Sequence, residues 1–310
     1  MQTRTKITAL GLCGNSVFLN VDHFHVPGET VHAQGLYAEP GGKGYNQAVA
    51  AARLGGSVCF IGCIGDDADG RACMEFLRRE GITPVPQIHP TVPSAYACIL
   101  TDKDGENRVT VFQGAAQELT AEFILEQEAV IAESDLLLLN NEYPQECNEA
   151  AMALAIKHGV KVVYNPAPAR PVSPEFLADC FLVTPNLSES AILIGEAVTE
   201  LPALVQRFRS SGIQNAVVTL GGDGAALITP TQALRIPVRK TRAVDTTGAG
   251  DTFTAALSVA VLQGKSLVEA AQWAANAAAL SVSRQYVMPG LPTRTQLEAD
   301  FVELTPEEIE

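Results

Sequence analysis

At 310 residues and 47% hydrophobic content, the chain is long enough for one large α/β domain with a substantial core. A formal net charge of −14 argues against a nucleic-acid surface, though backbone dipoles and a few local cations can still hold a small anion. No apolar run approaches membrane-spanning length and the N-terminal apolar stretch is too short for a signal peptide, so a cytoplasmic protein with no membrane partner is expected.

Strand-like and helical stretches alternate along the chain. Ile7–Leu12 predicts a strand, and Gly41-Gly42-Lys43-Gly44-Tyr45-Asn46 leads into a helix over Asn46–Leu54, closed by Gly55-Gly56. A strand over Val58–Cys63 and a helix over Gly70–Glu80 follow. Next come a strand at Asp135–Leu139, a helix at Cys147–His158, and strands at Val160–Asn165, Phe181–Thr184 and Ala216–Leu220. Continuous apolar strands separated by helices predict a mostly parallel sheet covered on both faces. Two stretches break the rhythm, Val17–Glu39 and Ser94–Gln113, the second with a hairpin turn at Asp102-Lys103-Asp104-Gly105. They read either as a small antiparallel sheet standing off the main body or as two surface hairpins. The seven cysteines, Cys13, Cys59, Cys63, Cys73, Cys98, Cys147 and Cys180, sit mostly among small or apolar neighbours and read as free thiols rather than a zinc site.

Chemistry concentrates in Val244-Asp245-Thr246-Thr247-Gly248-Ala249-Gly250-Asp251-Thr252-Phe253. Small residues leave backbone N–H groups bare at the start of a predicted helix, where anions bind. Asp251 places a carboxylate beside that anion site, which asks for a chemical reason. A general base taking a proton from a hydroxyl, while the turn holds the phosphoryl group under attack, supplies one. The competing reading is a tight turn into a helix. No Gly-Lys-Ser/Thr follows, so this is not a Walker A loop.

Other segments have to converge on it. The glycines around Lys43 allow close approach of a ligand, and Lys43 and Asn46 offer donors. Asn186 and Glu189, three apart on one helical face, suit Mg²⁺, though taken alone the pair reads first as an N-cap box. Thr219-Leu220-Gly221-Gly222-Asp223-Gly224 suits a nucleotide loop or a hairpin. The small-residue stretch Ala274–Ala279, with Asn276, is a flat slot for adenine or close helix packing.

The order G-G-K-G-x-N, N-P-A-P-A (Asn165–Ala169), T-P-N-x-x-E, T-L-G-x-x-G and D-T-x-G-A-G-D-T-F resembles the ribokinase-like (PfkB) sugar kinases, from about Ile7 to Pro292. That resemblance implies a three-layer α/β/α sandwich over residues 1–310 with a mostly parallel central sheet. It also implies a small β-sheet lid from about 13–40 and 94–113, which serves as a homodimer interface. Asp251 is then the base, and the amides of Gly248, Ala249 and Gly250 form the anion hole. Gly14, Ser16, Gly42, Lys43, Gly44, Asn46 and Glu142 fall on the sugar side. Asn186, Thr219, Gly221, Gly224 and Asn276 fall on the ATP side, with Asn186 and Glu189 in the Mg²⁺ region. Asp245, Thr247, Ser281, Arg284, Tyr286 and Gly290 match a monovalent-cation site, usually for K⁺.

Two departures stand out. Family members carry G-S-x-N-x-D on the first strand, and here Gly14 and Ser16 replace the Asn and Asp that grip sugar hydroxyls. A charge-assisted pair of that kind is worth about 2–4 kcal/mol, a loss of roughly 30-fold to 1000-fold in affinity unless replaced. Asn15 and Tyr45 are the candidates for partial compensation, Tyr45 by stacking on a ring. Tyr286 stands where the family's cation loop carries glycine. The expected activity is ATP-dependent phosphorylation of a primary hydroxyl of a pentose or related sugar. The alternatives are a nucleoside kinase of the same fold and a catalytically silent sugar-binding protein.

Overall fold

Leu136–Leu139 is buried at every position, which an extended chain achieves only when both faces of its sheet are covered. Leu136 and Leu138 join one hydrophobic core and Leu137 and Leu139 the other. The sheet between these cores is the central layer in a computed structural model that describes Thr5–Val198 and Glu200–Glu310.

Among the described residues the strands are β1 (Lys6–Leu10), β2 (Gly14–Asn20), β3 (Gly35–Gly41), β4 (Ser57–Gly65), β5 (Thr83–His89), β6 (Ala95–Thr101), β7 (Asn107–Phe112), β8 (Leu136–Leu139), β9 (Lys161–Tyr164), β10 (Leu182–Val183), β11 (Ala216–Thr219), β12 (Ala225–Ile228), β13 (Ala233–Ile236) and β14 (Glu307–Glu308). The large sheet runs β14-β13-β12-β11-β10-β9-β8-β1-β4-β5. It is parallel from β11 to β5 and antiparallel from β11 through β14. Sequence periodicity did not anticipate that antiparallel edge, because its strands are two to four residues long. One consequence is that the Thr219–Gly224 loop is a connection between antiparallel neighbours, β11 and β12, as well as a cavity wall.

Helices Lys43–Arg53, Ala249–Leu262 and Leu267–Ser281 cover one face, while Gln145–His158, Pro174–Asp179 and Leu201–Ser210 cover the other. A second sheet of order β3-β2-β6-β7 uses the two stretches that broke the helical rhythm, and it is mixed rather than antiparallel, because its two hairpins join through a parallel β2–β6 pair. Its β6–β7 hairpin turns at Asp102–Gly105, where the Asp102 carboxylate accepts the Asp104 and Glu106 amides.

The first helix starts at Lys43, three residues before the predicted Asn46. Its cap comes from far along the chain. Glu142 Oε1 accepts the Lys43 amide (2.7 Å) and Oε2 the Gly44 amide (3.0 Å), satisfying donors that a helix start leaves orphaned. Strand order reverses beside β1, the place where open α/β sheets bind ligands past the carboxyl ends of their strands. The segments after β1, β8, β9 and β10 therefore converge there.

Candidate active site

Gly248 caps the helix Ala249–Leu262 in the left-handed conformation, φ 75°. A Cβ there would stand 2.7 Å from Val287 Cγ1, so glycine is needed on both counts. Gly250 has open space where its Cβ would be. Among the described residues the Gly248, Gly250 and Asp251 amides have no intrachain acceptor, whereas the Ala249 amide closes a turn onto Thr246 O at 3.2 Å. The cradle thus differs from the expected trio: Asp251 offers an amide, and Ala249 is partly committed.

Asp251 sits in the first turn of that helix and is 6% exposed. Its Oδ2 accepts from Asn46 Nδ2 (2.9 Å) and its Oδ1 from Gln47 Nε2 (3.3 Å). Burial pushes the Asp251 carboxyl above its ordinary range, opposed by the Lys43 ammonium and by these two amide donors. The same attraction raises Lys43, with Asp251 as the main cause. Gln47 Nε2 also reaches Asn165 Oδ1 (3.1 Å), and Asn165 Nδ2 is anchored on Thr184 O (2.7 Å). Sequence reasoning assigned no role to Gln47 or Asn165. The available signal was helical spacing, since Lys43, Asn46 and Gln47 at i, i+3 and i+4 share a face. Asn46 Oδ1 is buried without a protein partner and Asn46 lines the smaller cavity, so it presents an acceptor to a hydroxyl there.

Two cavities meet at this carboxylate. The larger, about 720 Å³, has Asn186, Glu189, Thr219, Gly221, Gly224 and Ala275 on its walls. The smaller, about 260 Å³, lies under the small sheet and is lined by Gly14, Ser16, Gly42, Glu142 and Thr247 among others. Lys43, Gly248 and Asp251 line both. Glu142 accepts the Leu12 amide as well (3.2 Å) and is pushed up to about 7 by burial, against the Lys43 and Gly44 amides that favour its charged form.

Several expectations need correction. Gly44 is a glycine for backbone packing, whereas Gly42 packs on its own strand and also lines the smaller cavity. A Cβ at Gly42 would lie 2.1 Å from Leu12 O, and one at Gly44 2.3 Å from Leu10 O. Gly44 lines neither cavity. Asn276 also lies off the larger cavity. Its side chain bonds Gln272 O and both the amide and carbonyl of Val302, tying the chain's C-terminal segment to the helix whose Ala275 and Ala279 face the cavity. Tyr45 is fully buried with its hydroxyl on Cys73 O (2.9 Å), so it cannot stack on a ligand, and Asn15 reaches towards Asp69 (3.3 Å).

Asn186 and Glu189 form a capping box, with Glu189 Oε2 on the Asn186 amide and Asn186 Oδ1 on the Glu189 amide, 2.8 Å each. They line the larger cavity nonetheless. Asp245 places Oδ1 on the Thr247 amide and Oδ2 on the Tyr286 amide, 2.9 Å each. Gly290 packs on Ser281 O, 2.9 Å from where its Cβ would be, and the Arg284 amide reaches that same oxygen at 3.4 Å. Tyr286 has φ 66°, the one left-handed non-glycine among the described residues, so the backbone keeps a glycine-like shape with a tyrosine in it. All six residues expected at a cation site therefore gather around one loop.

The pattern of the pfkB family carbohydrate kinases matches residues 4–294. The chain belongs to that family. It is 38% identical to a ribokinase of Haemophilus influenzae, covering 97% of this chain and 99% of that one, and 34% identical to a ribokinase of Bacillus subtilis, covering 94% and 98%. Among solved structures, a Thermotoga maritima ribokinase superposes with a TM-score of 0.86 at 36% identity, covering 95% of this chain and 98% of that chain. The Arabidopsis thaliana ribokinase complexed with ribose and ATP gives 0.85 at 27% identity, covering 96% and 98%. This pfkB chain is thus an ATP-dependent sugar kinase of the α/β fold its motifs implied.

Proposed function

We propose that this chain transfers the γ-phosphoryl group of ATP to the primary hydroxyl of a pentose, D-ribose first among candidates, with Asp251 as general base. One observation carries the reading: a single buried carboxylate lines both a nucleotide-sized and a sugar-sized cavity. The hydroxyl oxygen attacks the γ-phosphorus as its proton passes to an Asp251 oxygen. The bond to the bridging oxygen breaks and ADP leaves. Free amides at Gly248, Gly250 and Asp251, with the Lys43 ammonium, oppose the charge on the phosphoryl oxygens. Asn46 and Gln47 hold the base in place through their amide groups.

Mg²⁺ bound to the phosphates supplies further charge neutralisation. Glu189, with one oxygen committed to its own helix cap, suits an ion that keeps its waters and phosphate ligands. The residues around Asp245 likewise fit K⁺ held largely by backbone carbonyls beside the cradle. We read the outer face of the small sheet as the face of a homodimer, because Leu36 and Phe112, each more than half exposed, lie on the side opposite Glu39. A cytoplasmic setting agrees with seven free cysteines.

The test is ADP release with D-ribose, 2-deoxyribose, other pentoses, hexoses and nucleosides, each with K⁺ or Na⁺. Turnover confined to pentoses and favoured by K⁺ is the expected result, and turnover with nucleosides alone would overturn the acceptor. Sedimentation analysis checks the dimer.

A further inference from the structure

Three carboxylates are buried among the described residues, Glu39, Glu142 and Asp251, and all three line the acceptor cavity. Glu142 and Asp251 already have roles. Glu39 lies on β3, on one face with Tyr37 and Gly41, and stands directly across from Ser16 of β2. Its oxygens reach out of the small sheet into the main body: Oε1 accepts the Val287 amide and Oε2 the Met288 amide, both at 2.9 Å.

A second contact runs parallel to this one. Tyr37 stacks on Tyr286, ring centroids 3.8 Å apart and planes 16° from parallel, and Phe18 packs edge-on to Tyr286 at 5.1 Å. Tyr286 is the residue in left-handed backbone, and such conformations persist where surrounding contacts over-determine them. Here the stack on one side and Asp245 Oδ2 on the other do so.

The turn so held touches the phosphate cradle. Val287 fills the space beside Gly248, and Asp245, which holds the Tyr286 amide, also holds Thr247. A continuous series of contacts therefore joins the sheet over the sugar cavity to the first amide of the cradle. A carboxylate suits its first link, because two adjacent amides at a helix start need two acceptor oxygens. Glutamine would offer one and set an N–H group against the other amide.

We propose that Glu39 is a positioning residue for phosphoryl transfer: it fastens the small sheet to the Tyr286–Met288 turn, which sets Gly248, so that sugar binding and phosphate binding are energetically coupled. The coupling rests on the sugar-kinase reading of the two cavities, and by linkage it is reciprocal.

Titrating a non-hydrolysable ATP analogue with Mg²⁺ into wild type, Glu39→Gln and Tyr37→Leu by calorimetry, with and without saturating D-ribose, measures it. In wild type ribose tightens the analogue by about fivefold or more. In Glu39→Gln that factor falls to below about twofold, analogue affinity without ribose stays within about threefold of wild type, and kcat drops roughly 10-fold to 100-fold with KM for ATP little changed. A cap that merely steadies the 287–290 helix would lower the melting temperature and leave the coupling factor intact, which overturns the proposal. Should Glu39→Gln fail to fold, Tyr37→Leu decides by the same criteria.

Hydrogen exchange on the ligand-free protein reads the latch without any sugar. Glu39→Gln, or Tyr37→Leu in its place, speeds exchange over 286–288 and 245–250 together while sparing 43–53. A change confined to 286–288 overturns the proposal whatever ribose does. Wild type that fails to bind ribose, with both segments loosened in the variant, counts against ribose as acceptor and not against the latch.

Discussion

The cavities on either side of Asp251 are built by different rules. Much of the larger cavity's wall is loops at the ends of strands, which present backbone amides and obligatory glycines. Gly248 at φ 75° and Gly224 at φ 95°, the latter with Ile236 O 2.1 Å from a notional Cβ, leave those loops little freedom. The acceptor cavity is instead roofed by a twisted four-stranded sheet, whose side chains meet only through register. Backbone chemistry is written in contiguous residues and side-chain chemistry across strands is not. Departures from the family pattern at positions 14, 16 and 286 accordingly fall on the acceptor side and its neighbouring loop.

The largest effect expected from challenging this division is at Asp251. Asp251→Asn should lower turnover about 1000-fold or more while ADP binds within about threefold of wild type, by ADP-release assay and calorimetry. Joint loss of turnover and nucleotide affinity would show that the halves are not separable.

Asn46→Ala comes next. Asp251 must be ionised to take a proton, and the Asn46 donor favours its charged form, so removing that donor raises its pKa further. The acidic limb of the pH–rate profile moves to higher pH, with the deficit against wild type largest on the acid side and narrowing above the limb to a pH-independent remainder, since the acceptor Asn46 Oδ1 is lost as well. An unchanged limb would disconnect the activity from this carboxylate.

Smaller effects probe the sugar roof. Gly14→Asn returns the family residue yet should cost about 1–3 kcal/mol of stability, read by denaturant unfolding, because a Cβ there would stand 2.2 Å from Ala95 O. Ser16→Asp should cost still less, about 0.2–1 kcal/mol, by placing a like charge across from Glu39. That penalty should shrink in the Ser16→Asp, Glu39→Ala pair. A neutral Gly14→Asn would mean that β2 and β6 part more easily than their register suggests.

Much of the fold was legible, for identifiable reasons. Buried parallel strands are continuous apolar runs, and the spacing of Asn186 and Glu189 signals a helix start whether or not an ion is near. Gly44 misled because a glycine pressed on its own strand looks, in sequence, like one pressed on a ligand. Asn276 misled because its partner Val302 comes from a segment 26 residues on, without any motif. Glu39 left no trace at all. Its partners at 287 and 288 lie nearly 250 residues away, and only the fold brings them together.

A crystal structure of the protein with ADP, aluminium fluoride and D-ribose tests the central claim most directly, since the fluoride group stands in for the phosphoryl group in flight. The expected result has that group on the amides of Gly248, Gly250 and Asp251, with a sugar hydroxyl about 2.6–3.2 Å from an Asp251 oxygen. A fluoride group bound away from this helix start, or an Asp251 carboxylate turned from the hydroxyl with no bridging water, would contradict it.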